Sequence, residues 1–135
     1  MPVPTAVKDF MSWPVVTLNP DMDILEAMEV LLEKRISGAP VLDKLGNLVG
    51  MLSEKDCMRV ALDAGYHGQL GGRVAEYMHP QVETVDADAS IIDIASKFLH
   101  HQYRRYPVIQ DNRLVGQISR RDVLKALTAL TAERT

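Results

Sequence analysis

Two short stretches carry the residue types that could do chemistry, and they are near copies of each other. Ser119-Arg120-Arg121-Asp122 follows Leu114-Val115-Gly116-Gln117-Ile118, and Ser53-Glu54-Lys55-Asp56 follows Leu48-Val49-Gly50-Met51-Leu52. Each reads as a strand running into the first turn of a helix. A serine at a helix start presents its hydroxyl beside free backbone N–H groups and the positive end of the helix dipole, a setting that suits a phosphate. An aspartate three residues on lies on the same side of the first turn. Its two acceptor oxygens suit the adjacent hydroxyls of a ribose. The same Ser-x-x-Asp spacing is close to an ordinary capping box, although Glu or Gln is the usual third residue there. The two roles are compatible, because a carboxylate has lone pairs to spare.

Other reactive residue types do not converge. Cys57 follows Asp56 inside an apolar helical pattern with no Cys/His/Asn constellation around it, so it reads as a buried structural thiol. His100 and His101 are adjacent and point apart on a helix, unlike an i, i+4 metal-gripping pair; His67 and His79 fall in loop-like places. Met11, Met28, Met51, Met58 and Met78 read as adaptable core filler. With no nucleophile–base pair, metal cluster or Gly-rich phosphate loop, the expectation is a non-enzymatic protein.

Composition narrows the class further. The chain has 135 residues, 47% apolar and 24% charged, which is ordinary globular composition and enough for a core without a disulfide or metal staple. A net charge of −3 argues against a general nucleic-acid binder but leaves room for a local basic pocket. The single cysteine cannot form an internal disulfide, which points to a reducing compartment. No apolar run reaches the ~18 residues needed to span a membrane, and the N-terminus lacks a signal-peptide layout. These features predict a soluble cytoplasmic protein.

The elements that must position the two Ser-x-x-Asp stretches can be read in order. Residues 1–5 are a loose lead-in, 7–11 a helical turn and 15–18 a β-branched strand. Asn19-Pro20-Asp21 is turn and cap chemistry. Apolar residues at 24, 27, 28, 31 and 32 predict a helix that Ser37-Gly38 breaks. Residues 39–42 and 48–52 form a hairpin around a Gly46-Asn47 turn core, and Ser53 caps a helix with Cys57, Met58, Ala61 and Leu62 on its apolar face. After a glycine-rich linker at 65–73, the pattern returns. There is a helical turn at 74–78, a strand at 82–85, and a helix capped by Asp88 or Ser90 with apolar positions 91, 94, 95, 98 and 99. A hairpin at 106–118 turns at Asp111-Asn112, and Ser119 caps a last helix with Val123, Leu124, Leu127 and Leu130 inward before the chain frays from Ala132.

The repeat is arithmetic. Met11 and Met78, Val15 and Val82, Ile24 and Ile91, and Pro40 and Pro107 stand 67 residues apart; after the hairpin Gly50 and Gly116, Ser53 and Ser119, and Asp56 and Asp122 stand 66 apart. The one deletion falls in the turn, where length changes are cheapest. Each half is a β-α-β-β-α unit, 7–64 and 74–130, with too little core to be secure alone, so the two are expected to bury each other's apolar faces. The fold class is α+β with α/β-type repeats: two pseudo-symmetric units packed sheet to sheet.

At this level of detail the chain resembles a tandem pair of CBS (cystathionine-β-synthase) domains of the stand-alone type, a Bateman module. The markers are Ser37-Gly38-Ala39-Pro40-Val41-Leu42-Asp43 with Leu48-Val49-Gly50 and Ser53-Glu54-Lys55-Asp56. The second set is Arg104-Arg105-Tyr106-Pro107-Val108-Ile109 with Leu114-Val115-Gly116 and Ser119-Arg120-Arg121-Asp122. The resemblance implies a regulatory module that senses an adenosine-containing ligand in a cleft between repeats: AMP, ADP, ATP or S-adenosylmethionine, with a cyclic dinucleotide also known in the family. It implies no resident cofactor and no metal.

It also implies roles. Asp122 would hold the ribose, and Ser119, Arg105 and Arg104 the phosphate, the arginines through their planar forks. The bland reading of Arg104 and Arg105 is a pair of surface arginines ending a helix, favoured by its dipole. Met11, Val16, Ile36, Ser37 and Gly38 would surround the base; Val16 and Ile36 read equally well as core. A second cleft on Asp56 and Ser53 is expected to be the weaker one, because Glu83 stands where the first has Val16 and Gly38 where it has Arg105. Family modules pair into homodimers through their helices. The alternative is an interaction protein of the same fold that docks a partner enzyme or transporter without a physiological ligand.

Overall fold

The computed structural model describes residues 5–68 and 70–134, so the lead-in at 1–5 lies almost wholly outside them. The chain divides into two compact units: a first, Val16–Val82, and a second made of Met1–Val15 with Glu83–Thr135.

In the first unit, α1 (Ile24–Lys34) starts where the Asp23 carboxylate accepts the Leu25 amide at 2.8 Å. It ends at Arg35, which takes the left-handed conformation at φ 56°, ahead of the predicted Ser37-Gly38 break. β1 (Gly38–Leu42) and β2 (Leu48–Ser53) pair antiparallel, and α2 (Glu54–His67) and α3 (Val74–Tyr77) follow. The hairpin turns on Lys44-Leu45 rather than on Gly46-Asn47. The Gly46 amide reaches the Asp43 carbonyl at 3.0 Å, and the Asp43 carboxylate takes the amides of Leu45 and Asn47 at 2.9 Å each. Those bonds, from Asn47 above all, hold the Asp43 carboxyl below its usual value. α2 runs through Gly65 to His67, so helix occupies the start of the glycine-rich segment assigned to the linker.

The second unit repeats the plan with a single 3-10 turn at Val7–Asp9, β3 (Val85–Asp86), α4 (Ile91–His100), β4 (Arg105–Gln110), β5 (Arg113–Ser119) and α5 (Arg120–Arg134). β3 is parallel to β4, and β4 antiparallel to β5. Asp111 and Asn112 both have positive φ, 52° and 64°, as a tight two-residue hairpin requires. Ser90, not Asp88, caps α4, accepting the Ile92 amide at 3.1 Å. α5 continues past Ala132 to Arg134.

Each unit has its own apolar cluster. Ile24, Ala27, Leu31, Val41, Leu52 and Val60 lie in the first, and Ile91, Ile94, Phe98, Val108, Ile118 and Val123 in the second. One predicted strand is absent and another is shorter than expected. Residues 15–18 contribute one parallel bridge, Leu18 to Val41, and the strand expected at 82–85 shrinks to Val85–Asp86. Several helix positions expected to face inward face out: Leu32, Met58, Leu62, Leu99 and Leu124 are 64–85% exposed. Their helices carry apolar residues over a wider arc than the unit's core covers.

The lead segments pair across the repeat order. In the second unit the Val7 and Lys8 amides bond the carbonyls of Ala89 and Ala87, and Ser12 exchanges backbone bonds with Gln117 at 2.8 and 3.1 Å. In the first unit the Val74 and Ala75 amides bond the carbonyls of Met22 and Pro20, and His79 exchanges bonds with Met51 at 2.9 Å each. Each unit therefore takes the segment that precedes the other repeat. Two glycines admit this approach: a Cβ on Gly116 would stand 2.6 Å from Met11 Sδ and 2.9 Å from the Ser12 carbonyl, and one on Gly50 would meet Met78 and His79 in the same way.

Candidate functional site

The two Ser-x-x-Asp stretches fold into the same capping box. In α5, Asp122 Oδ2 accepts from the Ser119 amide at 2.9 Å and from its hydroxyl at 3.0 Å, and the Asp122 amide donates to Ser119 Oγ at 3.2 Å. In α2 the matching distances for Ser53 and Asp56 are 2.9, 2.9 and 3.2 Å. The first amide of each helix is also engaged: Arg120 donates to the Arg104 carbonyl at 3.2 Å and Glu54 to the Ser37 carbonyl at 2.9 Å. Two of the helix-start donors that the sequence leaves free for a phosphate are thus bonded within the protein.

The second oxygen of each aspartate separates the twins. Asp122 Oδ1 has no partner among the described residues, and Asp122 is half-buried. Asp56 is only 4% exposed. Its Oδ1 stands 3.0 Å from His79 Nε2 and 3.7 Å from an Arg59 terminal nitrogen. Neither partner stands in a motif, so the sequence pattern does not announce them. The signal was the 67-residue offset, which sets His79 opposite Ser12.

Of the residues expected around a ligand, the structure places Met11, Arg104, Arg105, Ser119 and Asp122 in the second unit. Val16, Ile36, Ser37 and Gly38 lie in the first, together with Ser53 and Asp56. Arg105 is half-buried at the start of β4, and its Nε is buried without a partner among the described residues. Arg104 is exposed. Val16, Ile36, Ser37 and Gly38 are all half-buried, and of these Ile36 packs on the first unit's cluster. Glu83 is paired with Lys97 at 3.3 Å.

The other reactive types stay apart. Among the described residues no group of three or more His, Cys, Asp or Glu could hold a metal ion. His100 Nδ1 contacts its own helix at the Ser96 carbonyl, 2.7 Å away. Cys57 is buried, and burial first, then Asp56 and Glu54, push its thiol up. Native-state labelling of Cys57 by a disulfide reagent at neutral pH is accordingly expected to run at least about tenfold slower than after unfolding in urea. Equal rates would show that the thiol is reactive after all.

No helix among the described residues is long and apolar enough to cross a membrane. In comparison with known proteins, the CBS domain family model matches residues 7–63 and 74–129. An uncharacterised protein of Methanocaldococcus jannaschii, MJ1225, is 31% identical over 121 residues; the match covers 90% of this chain but 42% of that protein. Among solved structures, CBSX2 in complex with AMP has a TM-score of 0.81 at 27% identity, covering 95% of this chain and 99% of that one. The CBS domain pair of the protein MJ0100, in complex with 5′-methylthioadenosine and S-adenosyl-L-methionine, has a TM-score of 0.72 at 27% identity over 99% of this chain and all of that one.

Proposed function

Because this chain belongs to the CBS domain family, with one copy in each repeat, we propose that it is a regulatory rather than a catalytic module, sensing an adenosine-containing ligand through Asp122. The observation that carries the reading is the open oxygen of that carboxylate. The capping box consumes Oδ2 and leaves Oδ1 as an acceptor for a ribose hydroxyl. The buried, unpartnered Nε of Arg105 adds a donor short of an acceptor, which a phosphate oxygen would supply. Ser119 orients Asp122, and Arg104 lends charge. Met11, Val16, Ile36, Ser37 and Gly38 are the residues we assign to the base. AMP, ADP and ATP fit an arginine better than does the sulfonium of S-adenosylmethionine. CBS domain pairs of other proteins crystallised with AMP, and with S-adenosylmethionine and 5′-methylthioadenosine, support the ligand class. A thermal-shift series with these ligands on the wild type and an Asp122 variant tests it. No shift with any of them would favour the interaction-protein reading, in which the capping box is the whole role of Ser119 and Asp122.

The proposed site of action is the cytoplasm, in keeping with the lone thiol, and the proposed assembly is a homodimer that docks and regulates a partner protein. Its support is a set of exposed apolar residues at matching places in both repeats: Leu25 and Ile92, Leu32 and Leu99, Met58 and Leu124 are 39–85% exposed. Ligand binding would act by favouring one packing of the module. Leu32→Asp with Leu99→Asp is expected to halve the mass measured by light scattering while leaving the far-ultraviolet circular dichroism unchanged. A wild-type protein that already has monomer mass at micromolar concentration would rule out the homodimer.

A further inference from the structure

We infer that His79, backed by Arg59, is a specificity-determining residue: it withholds the Asp56 carboxylate from ligand and so confines nucleoside binding to Asp122. The inference rests on the reading that Asp122 binds a ribose. Its basis is the pair of twin capping boxes, whose three distances agree to within 0.1 Å. With the aspartates oriented alike, the twins differ in burial and in the traffic at Oδ1. At Asp56 an imidazole stands at 3.0 Å and a guanidinium at 3.7 Å. At Asp122 the corresponding residues are Ser12 and Lys125, and neither has a contact with the carboxylate.

The closure is held from both sides. The two backbone bonds of 2.9 Å between His79 and Met51 fix where the imidazole starts. Arg59 is tied by a bond to the Tyr77 carbonyl and lies 6.0 Å over the Tyr77 ring. A ribose diol brings two O–H donors and needs an acceptor that is not already facing a cation or an N–H. At Asp56 it must first displace the imidazole; at Asp122 no side chain among the described residues stands at Oδ1. The His79 side chain is 70% exposed, so its replacement leaves the core untouched. Arg59 then remains to balance the buried carboxylate. With Gly38 at the place of Arg105, the opened position suits an uncharged nucleoside better than a nucleotide.

The test is titration calorimetry with adenosine, with each variant's melting curve recorded alongside. The wild type is expected to bind one adenosine per chain, His79→Ser two, and His79→Ser/Asp56→Asn one again. His79→Ser/Asp122→Ala should bind one, at Asp56. The reverse graft reads the same idea in the other unit, where Ser12 pairs with Gln117 as His79 pairs with Met51. Ser12→His should weaken wild-type binding by about tenfold or more, the cost of blocking a hydrogen bond to a charged group. A wild type that binds two adenosines, or a folded His79→Ser protein that binds the same number as wild type, overturns the role of His79. If His79→Ser fails to fold, the Ser12→His result decides, and unchanged affinity there overturns the inference. A wild type that binds none contradicts the Asp122 reading instead. The role of His79 then stands only if His79→Ser gains a site that Asp56→Asn removes, and falls if it does not.

Discussion

Asp122→Ala is expected to erase most of the ligand-induced thermal shift. At a free ligand concentration of 100 times Kd, the wild type gains about 2.7 kcal/mol, on the order of 10 °C for a chain of this size. Losing hydrogen bonds to a charged acceptor costs roughly 1.5–3 kcal/mol each, so an affinity loss of about a hundredfold is reasonable. At the same ligand concentration the residual stabilisation would be about 0.4 kcal/mol. The alanine also removes the third-residue partner of the capping box in the first turn of α5, which itself costs roughly 0.5–2 kcal/mol in the absence of ligand. The informative quantity is therefore the difference with and without ligand within each variant. Asp122→Asn separates the two roles. Its amide oxygen can still accept from Ser119, so the unliganded melting point should stay near wild type, while its NH₂ group faces a diol donor to donor. A ligand shift in Asp122→Asn equal to that of the wild type would remove the carboxylate from the site.

Leu52→Ala and Ile118→Ala should cost the most stability. Each residue is fully buried in the cluster of its own unit, at matching places in β2 and β5. Truncating such a side chain loses its transfer free energy and leaves a cavity, together about 2–5 kcal/mol. Against a total of roughly 5–15 kcal/mol for a domain, that is a large share. Urea unfolding with an unchanged slope is the measurement. A loss under about 1 kcal/mol for Leu52→Ala would mean that the first unit's cluster is far looser than its burial shows.

Most local features of the chain were legible in its residues. The duplicated hairpins, the Ser53 and Ser119 caps and the Asp111-Asn112 turn each follow from interactions among neighbours within a few positions. The family pattern was legible for the same reason, since its markers sit on those hairpins. Helix existence followed from periodicity, but the inward arc did not. Leu32, Leu99 and Leu124 fit a 3.6-residue pattern as well as Leu31, Phe98 and Val123 do, and only the width of the packed core chooses between them.

The pairing of lead segments was not legible in the residue types, and only the family resemblance, by setting Met11 with Asp122, pointed to it. A chain with a 67-residue repeat offers residues 5–15 two nearly equivalent sheet edges, β2 and β5, and the local residue types match either one. The backbone bonds of Ser12 to Gln117 and of His79 to Met51 record which edge each segment took. That choice also set the two carboxylates apart. It laid a serine beside the capping box of Asp122 and a histidine beside that of Asp56, residues 23 positions apart whose meeting no local pattern announces. Local residue types alone specify two matching boxes. Tertiary pairing decided which of them kept an oxygen free, because contacts between distant segments depend on which edges close and not on the residues at either end alone.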